Sequence, residues 1–109
     1  MEQDLSRFVI SILRRASYMW KPRYAVIKAA RVAKAQSKCA MCSNVFSTKD
    51  TVADHIHPVV DPAKGFENWD TYIKRLFCEE SGFQILCKPC HKIKTDEENK
   101  TRKKLVDAP

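Results

Sequence analysis

Two glycines among 109 residues, beside a hydrophobic fraction of 44%, argue against a fibrous or a disordered chain. Long hydrophobic runs are missing, and none approaches the ~20 residues that a membrane span needs. The first apolar run, Phe8 to Leu13, is broken by Ser11 and followed by Arg14 and Arg15, so it does not read as a signal peptide. Acids are scarce at the start: residues 1–38 hold two against nine Lys/Arg. The balance turns to seven acids against four bases over residues 39–87, then back to four against seven over 88–109. A net charge of +7 calls for a polyanionic partner, nucleic acid first and an anionic membrane second. Basic flanks around an acidic centre suit a protein that grips phosphates at its edges and holds a cation in the middle.

At this length one domain with a small core is expected. Five cysteines, an odd number, come with paired spacing and no leader. That favours reduced thiols and metal over disulfides, and a cytoplasmic location. Cys78 is left over and reads as a small buried apolar residue.

Leu5, Phe8, Val9, Ile12, Leu13 and Ala16 recur at helical spacing, with Asp4 as the cap, and predict an amphipathic helix packed on the domain. Pro22 opens a second helix that runs to about Gln36, with Val26, Ala29, Ala30 and Ala33 on one side. Lys28, Arg31, Lys34 and Lys38 fall on the other side. Such a stripe is either solvated or set against phosphate, and the near absence of acids favours phosphate. Val45–Phe46 and Thr51–Ala53 read as short strands around the turn Ser47–Asp50, with Asp54 to His57 continuing the second. Asn68 caps a helix over Asp70 to Phe77, whose buried side is Trp69, Ile73, Leu76 and Phe77. Phe83 to Leu86 reads as a strand, Cys90 to Thr101 as a last helix and Arg102 onward as a frayed tail.

Two Cys-x-x-Cys pairs, Cys39/Cys42 and Cys87/Cys90, stand 44 residues apart and offer the four thiolates of a closed structural Zn2+ site. A closed site stabilises and does not catalyse, so Asp54, His55 and His91 remain for other work. Asp54 and His91 can hold a divalent cation that keeps open positions, as Mg2+ prefers. His55 is then the general base that activates water for attack on phosphorus. The bland alternative makes Asp54 a local cap, His55 a surface residue and His91 a spare zinc ligand.

Asp54-His55-Ile56-x-Pro58-Val59, followed by Leu86-Cys87-x-x-Cys90-His91-x-x-Lys94-Thr95, resembles the HNH endonucleases of the ββα-metal fold. The nearer likeness is to small phage and prophage members with a four-cysteine zinc site. These share a basic stretch like Arg14-Arg15 and Trp20-x-Pro22-Arg23, and a helix like Trp69 to Phe77. The likeness covers roughly residues 13–96. It implies an α+β fold, with a ββα-metal core over residues 39–101 stapled by Zn2+, a basic helical extension over 1–38 and a flexible tail over 102–109. It also implies that His55 is the base and that Asp54 and His91 bind catalytic Mg2+ or Mn2+. DNA is the implied partner, with no membrane. Arg14, Arg15, Arg23, Lys28, Arg31 and Lys34 are expected on its phosphates, joined by Lys88 and Lys94. The phage setting adds packaging or replication proteins as partners and the host cytoplasm as the location.

The chain departs from the family at one place. Relatives carry Asn-Leu-Gln before the Leu-x-Cys, and here Gly82-Phe83-Gln84 stands instead. That asparagine braces the loop behind the catalytic histidine, and Asn68 does not align with it. His57, at a variable position, is read as a substrate contact, a neighbour or an added metal ligand. Gly82 favours a rival reading, a non-catalytic zinc module that binds DNA or protein; the intact Asp54, His55 and His91 favour the endonuclease. RNA stays open as a substrate because the phosphodiester chemistry is shared.

Overall fold

The apolar spacing from Leu5 to Ala16 becomes a helix, α1 (Gln3–Ser17), in the computed structural model, which describes residues 2–107. Glu2, not Asp4, takes the N-cap position, and Asp4 sits in the first turn, where its charge meets the positive end of the helix dipole. The face turned to the domain is rotated from the one expected. Ile10, Leu13 and Ala16 are half-buried and Ser17 is buried, while Leu5, Phe8 and Ile12 stay exposed. The Ser17 hydroxyl donates to the Arg14 carbonyl at 2.6 Å, which satisfies the one buried polar side chain of this helix.

Pro22 lies in the first turn of α2 (Lys21–Ala29), where a missing amide costs no hydrogen bond. The helix stops well short of Gln36, so residues 1–38 are not a helical extension throughout. Residues 31–38 form β1 (Arg31–Ala33) and β2 (Gln36–Lys38), joined at Ala35 with a φ of 57°. β2 pairs antiparallel with β1 on one side and with β3 (Val45–Ser47) on the other. Ser37 is buried on β2 and its hydroxyl shares a 2.8 Å bond with that of Thr48. Pairing with the neighbouring strands has overridden a local helix preference that was weak at Val32 and Ser37.

A 3-10 turn at Thr48–Asp50 takes the chain out of this sheet into β4 (Thr51–His55). β3 and β4 therefore do not pair with each other. β4 pairs antiparallel with β5 (Phe83–Cys87), setting Asp54 opposite Gln84 and His55 opposite Phe83. The strand ends at His55, so the alternation does not extend to His57. Between the two strands lies α3 (Trp69–Leu76), capped as expected by the Asn68 side chain, which accepts the Thr71 amide at 2.8 Å. Its buried residues are Tyr72 and Leu76, and Ile73, expected inside, is exposed. Trp69 and Phe66 pack against the Tyr72 ring at 5.8 Å between centroids.

α4 (Lys88–Asp107) follows β5 without a loop. The segment from Arg102 to Asp107 is helical rather than frayed, and residues 108–109 lie outside the described residues. Leu105 reaches the loop before α3: a Cβ placed on Gly65 would stand 3.6 Å from its Cδ2. Among the described residues, no helix is long and apolar enough to cross a membrane.

Among the described residues, three of the eight buried apolar ones are cysteines, Cys39, Cys87 and Cys90. With Leu86 they form the core, and Phe46 and Val52 pack against it. The interior is thus centred on sulfur, and the remaining apolar core is small.

Gly82 is required by a close approach. A Cβ there would fall 2.6 Å from Cys78 Sγ and 2.9 Å from Cys78 Cβ. No asparagine fits beside Cys78, and the loop behind β4 is held by a backbone bond instead, the Ile56 amide donating to the Gly82 carbonyl at 2.9 Å. Gly82→Ala is expected to cost about 1–3 kcal/mol by overpacking, read as a lower thermal midpoint. Cys78→Ala in the same chain removes the nearer clash and should recover part of it. An unchanged melt for Gly82→Ala would refute the contact.

Candidate functional site

The first knuckle is set by backbone geometry. Ser43 takes a φ of 63°, the Cys39 amide donates to the Asn44 carbonyl at 2.9 Å, and the Ser43 amide donates to the Cys39 carbonyl at 3.0 Å. That tight turn aims the Cys42 amide at Cys39 Sγ, 3.5 Å away. The Ala40 amide donates to the Ile85 carbonyl at 2.7 Å and ties the knuckle to β5. Cys87 ends β5 and Cys90 lies in the first turn of α4. All four sulfurs then lie within 4.8 Å of one another, and Cys42 and Cys87 are 4.0 Å apart. Four sulfurs bound tetrahedrally at about 2.3 Å stand about 3.8 Å from one another. The cluster could hold a metal ion and is compatible with structural zinc.

The thiols themselves ask for a cation. Burial works to raise Cys39, but the amides of Cys42, Cys87 and Met41 outweigh it and bring its pKa down to about 6. Cys90 is pushed up to about 12, first by its hydrogen bond with Cys87, then by burial and the neighbouring Cys39 and Cys42. Cys39 is thus poised to ionise, while Cys90 holds its proton in a hydrogen bond with Cys87. A bound cation removes that difference by deprotonating all four.

The second constellation is built by the β4–β5 register and one face of α4. Asp54 is buried, and Gln84 opposite it donates Nε2–H to Asp54 Oδ2 at 3.0 Å. His91, just past Cys90 on α4, has its Nε2 3.7 Å from Asp54 Oδ1. Two ligands of one cation at about 2.1 Å from it stand about 3.0 Å apart when adjacent and about 4.2 Å when opposite. The spacing of 3.7 Å lies between those limits and matches neither. Lys94, one turn further along α4, also reaches Asp54, at 3.3 Å from Oδ2, and donates to the His55 carbonyl at 3.0 Å.

His55 points its ring elsewhere. It packs on Phe83 at 4.8 Å between centroids, and its Nε2 is 2.9 Å from the Leu76 carbonyl at the end of α3. A carbonyl can only accept, so Nε2 carries the hydrogen and Nδ1 is left as the proton acceptor. The bond also satisfies a carbonyl that the helix end would otherwise orphan. Burial lowers the His55 pKa from 6.5, with Arg23 and Arg14 acting in the same direction against the Leu76 carbonyl and Asp54. The net direction favours the neutral ring.

One cleft of about 280 Å3 is lined by Asp54, His55 and His91 together with Arg14 and Arg23. A second cleft shares Arg14, Asp54 and His55 and continues along α4 past Lys94, Glu98 and Arg102. Trp20 ties the α1–α2 corner, which carries both arginines, to the segment just past α3. Its Nε1–H donates to the Cys78 carbonyl at 2.6 Å, and its ring meets Phe77 edge-on at 5.7 Å. Arg23 in turn lies over the Tyr18 ring at 4.3 Å.

Of the basic residues expected on phosphate, Arg14, Arg23 and Lys94 line these clefts. Arg15, Lys28, Arg31, Lys34 and Lys88 are exposed and line neither, and Lys88 sits 4.0 Å from Asp50. His57 is exposed and also lines neither cleft. The sequence reading passed over Gln84 as a partner of Asp54, the Leu76 carbonyl, Glu98 and Arg102. The spacing His91, Lys94, Glu98, Arg102 places all four on one face of a helix and was the available signal. Comparison with family models, with curated proteins and with solved structures finds no match.

Proposed function

We propose that this chain is a metal-dependent endonuclease of the HNH kind that hydrolyses DNA phosphodiester bonds. What carries the reading is the convergence in one cleft of Asp54, His91 and a neutral His55 with two arginines. In this reading Arg14 and Arg23 take the phosphate oxygens and turn the phosphorus toward His55. Nδ1 of His55 accepts the proton of a water as its oxygen attacks phosphorus, and the ester P–O bond opposite breaks, its oxygen leaving to be protonated by solvent. A divalent cation held by Asp54 and His91, Mg2+ or Mn2+, supplies charge stabilisation at the phosphate and the leaving oxygen. Zn2+ at Cys39, Cys42, Cys87 and Cys90 holds β5 and α4 in register and thereby sets the distance from Asp54 to His91.

The rival reading, a zinc-stabilised DNA- or protein-binding module without catalysis, draws on the Lys94 ammonium paired with the proposed ligand Asp54. Supercoiled plasmid separates the two. The endonuclease converts it to nicked circles with Mg2+ or Mn2+ and stops when EDTA removes them; the binding module retards the plasmid and leaves it intact. On the DNA side, Arg14→Ala and Arg23→Ala are each expected to flatten the log–log dependence of binding on salt by about 0.9, one phosphate contact apiece. An unchanged slope would assign both arginines to packing instead.

A further inference from the structure

We propose that Lys94 is a tethered rival of the divalent cation for the Asp54 carboxylate, and that its release couples cation binding to DNA binding; this rests on the cation site proposed above. Asp54 has two oxygens and three claimants. Gln84 fixes Oδ2 from the opposite strand, His91 approaches Oδ1, and the Lys94 ammonium lies 3.3 Å from Oδ2 and 3.5 Å from Oδ1. The Lys94 and Asp54 side chains are only 18% and 9% exposed, so water screens them little. A cation bound at about 2.1 Å from the same carboxylate therefore meets a like charge at close range, and each weakens the other's hold.

The displaced ammonium is not left without a partner. Lys94 is also ion-paired with Glu98, one turn further along α4. Glu98 lines the second cleft with Arg102, and that cleft runs back to Asp54 and His55. A four-carbon stem anchored on α4 can carry the ammonium from Asp54 toward a phosphate lying there, with Glu98 holding it between the two. Cation binding thus frees a phosphate ligand, and phosphate binding frees the carboxylate. By linkage each must strengthen the other by the same factor. Neither a purely structural ion pair nor a plain DNA-contacting lysine has that property.

The test is calorimetric titration of the zinc-loaded full chain with Mn2+, for wild type, Lys94→Met, Lys94→Arg and His91→Ala. Lys94→Met is expected to bind Mn2+ about tenfold tighter, within the range of ordinary coupling, while Lys94→Arg stays near wild type and His91→Ala binds more weakly. Lys94→Gln keeps a donor for Asp54 and removes only the charge, so it should share the tighter affinity and frees the comparison from the folding of the methionine variant. In a His55→Ala background, Mn2+ should tighten binding of a short DNA duplex, and in Lys94→Met that gain should shrink to the part the cation itself contributes. If Lys94→Met and Lys94→Gln bind Mn2+ no tighter than wild type while His91→Ala is weakened, Lys94 merely positions Asp54; the inference falls and the cation site stands. If His91→Ala binds Mn2+ as wild type does, the cation lies elsewhere and both fall.

Discussion

Cys87→Ser is expected to abolish the cooperative thermal transition of this protein and its uptake of Zn2+. Structural zinc contributes about 10–16 kcal/mol of apparent binding energy at neutral pH, whereas a whole domain is stable by only about 5–15 kcal/mol. Little else here can compensate. Beyond Cys39, Cys87 and Cys90, the buried apolar side chains are Tyr72, Leu76, Phe83, Ile85 and Leu86. Cys87 also closes β5 opposite Thr51, so loosening it loosens the strand pair that carries Asp54 and His55. Circular dichroism melts with and without equimolar Zn2+, beside metal analysis of one Zn2+ per chain, read the outcome. A variant that melts like wild type would show that the sulfur cluster carries no structural ion.

His55→Ala and His91→Ala are expected to differ in kind. Losing a positioned base costs ~100-fold or more in rate, so His55→Ala should bind both the cation and DNA yet scarcely cleave. His91→Ala removes one of two cation ligands, so raised Mn2+ should restore part of its activity, and Asp54→Ala should follow it. His57→Ala, at an exposed residue outside both clefts, should be mild. The pH profile adds a sign. His55 acts when neutral, and burial with Arg23 and Arg14 lowers its pKa from 6.5, so activity should rise with pH with its midpoint below that value. Arg23→Ala removes one of the lowering charges and should move the rising limb to higher pH. Should His55→Ala lose the cation while His91→Ala keeps it, base and ligand have been exchanged.

Local chemistry was legible in the sequence; distant pairing was not. Each Cys-x-x-Cys pair is legible because its spacing is written over four residues, and the Asn68 cap is legible for the same reason. The end of α2 was not, because β2 owes its form to β3 and to the buried Ser37–Thr48 contact, which no window around Ala33 contains. Likewise the turn at Thr48–Asp50 looks like a hairpin until the partners of β3 and β4 are known to lie in two different sheets. Asp54, His55 and His91, singled out by type and spacing, line one cleft. The Leu76 carbonyl could not be singled out, since a backbone acceptor leaves no mark on residue identity. Tyr72 took the buried place assigned to Ile73 because α3 turns that face to the Phe66–Trp69 cluster, a matter of packing rather than periodicity.

The central claim is that Asp54, His91 and His55 together hydrolyse a phosphodiester, and one measurement meets it directly. Zinc-loaded wild type and His55→Ala are incubated side by side with supercoiled plasmid across a Mn2+ titration, and nicked circles are quantified on a gel. The expected result is nicking that saturates with Mn2+ in the wild type and stays at least ~100-fold slower in His55→Ala at every concentration. Equal nicking by the two proteins, or none by the wild type at saturating Mn2+, would contradict it.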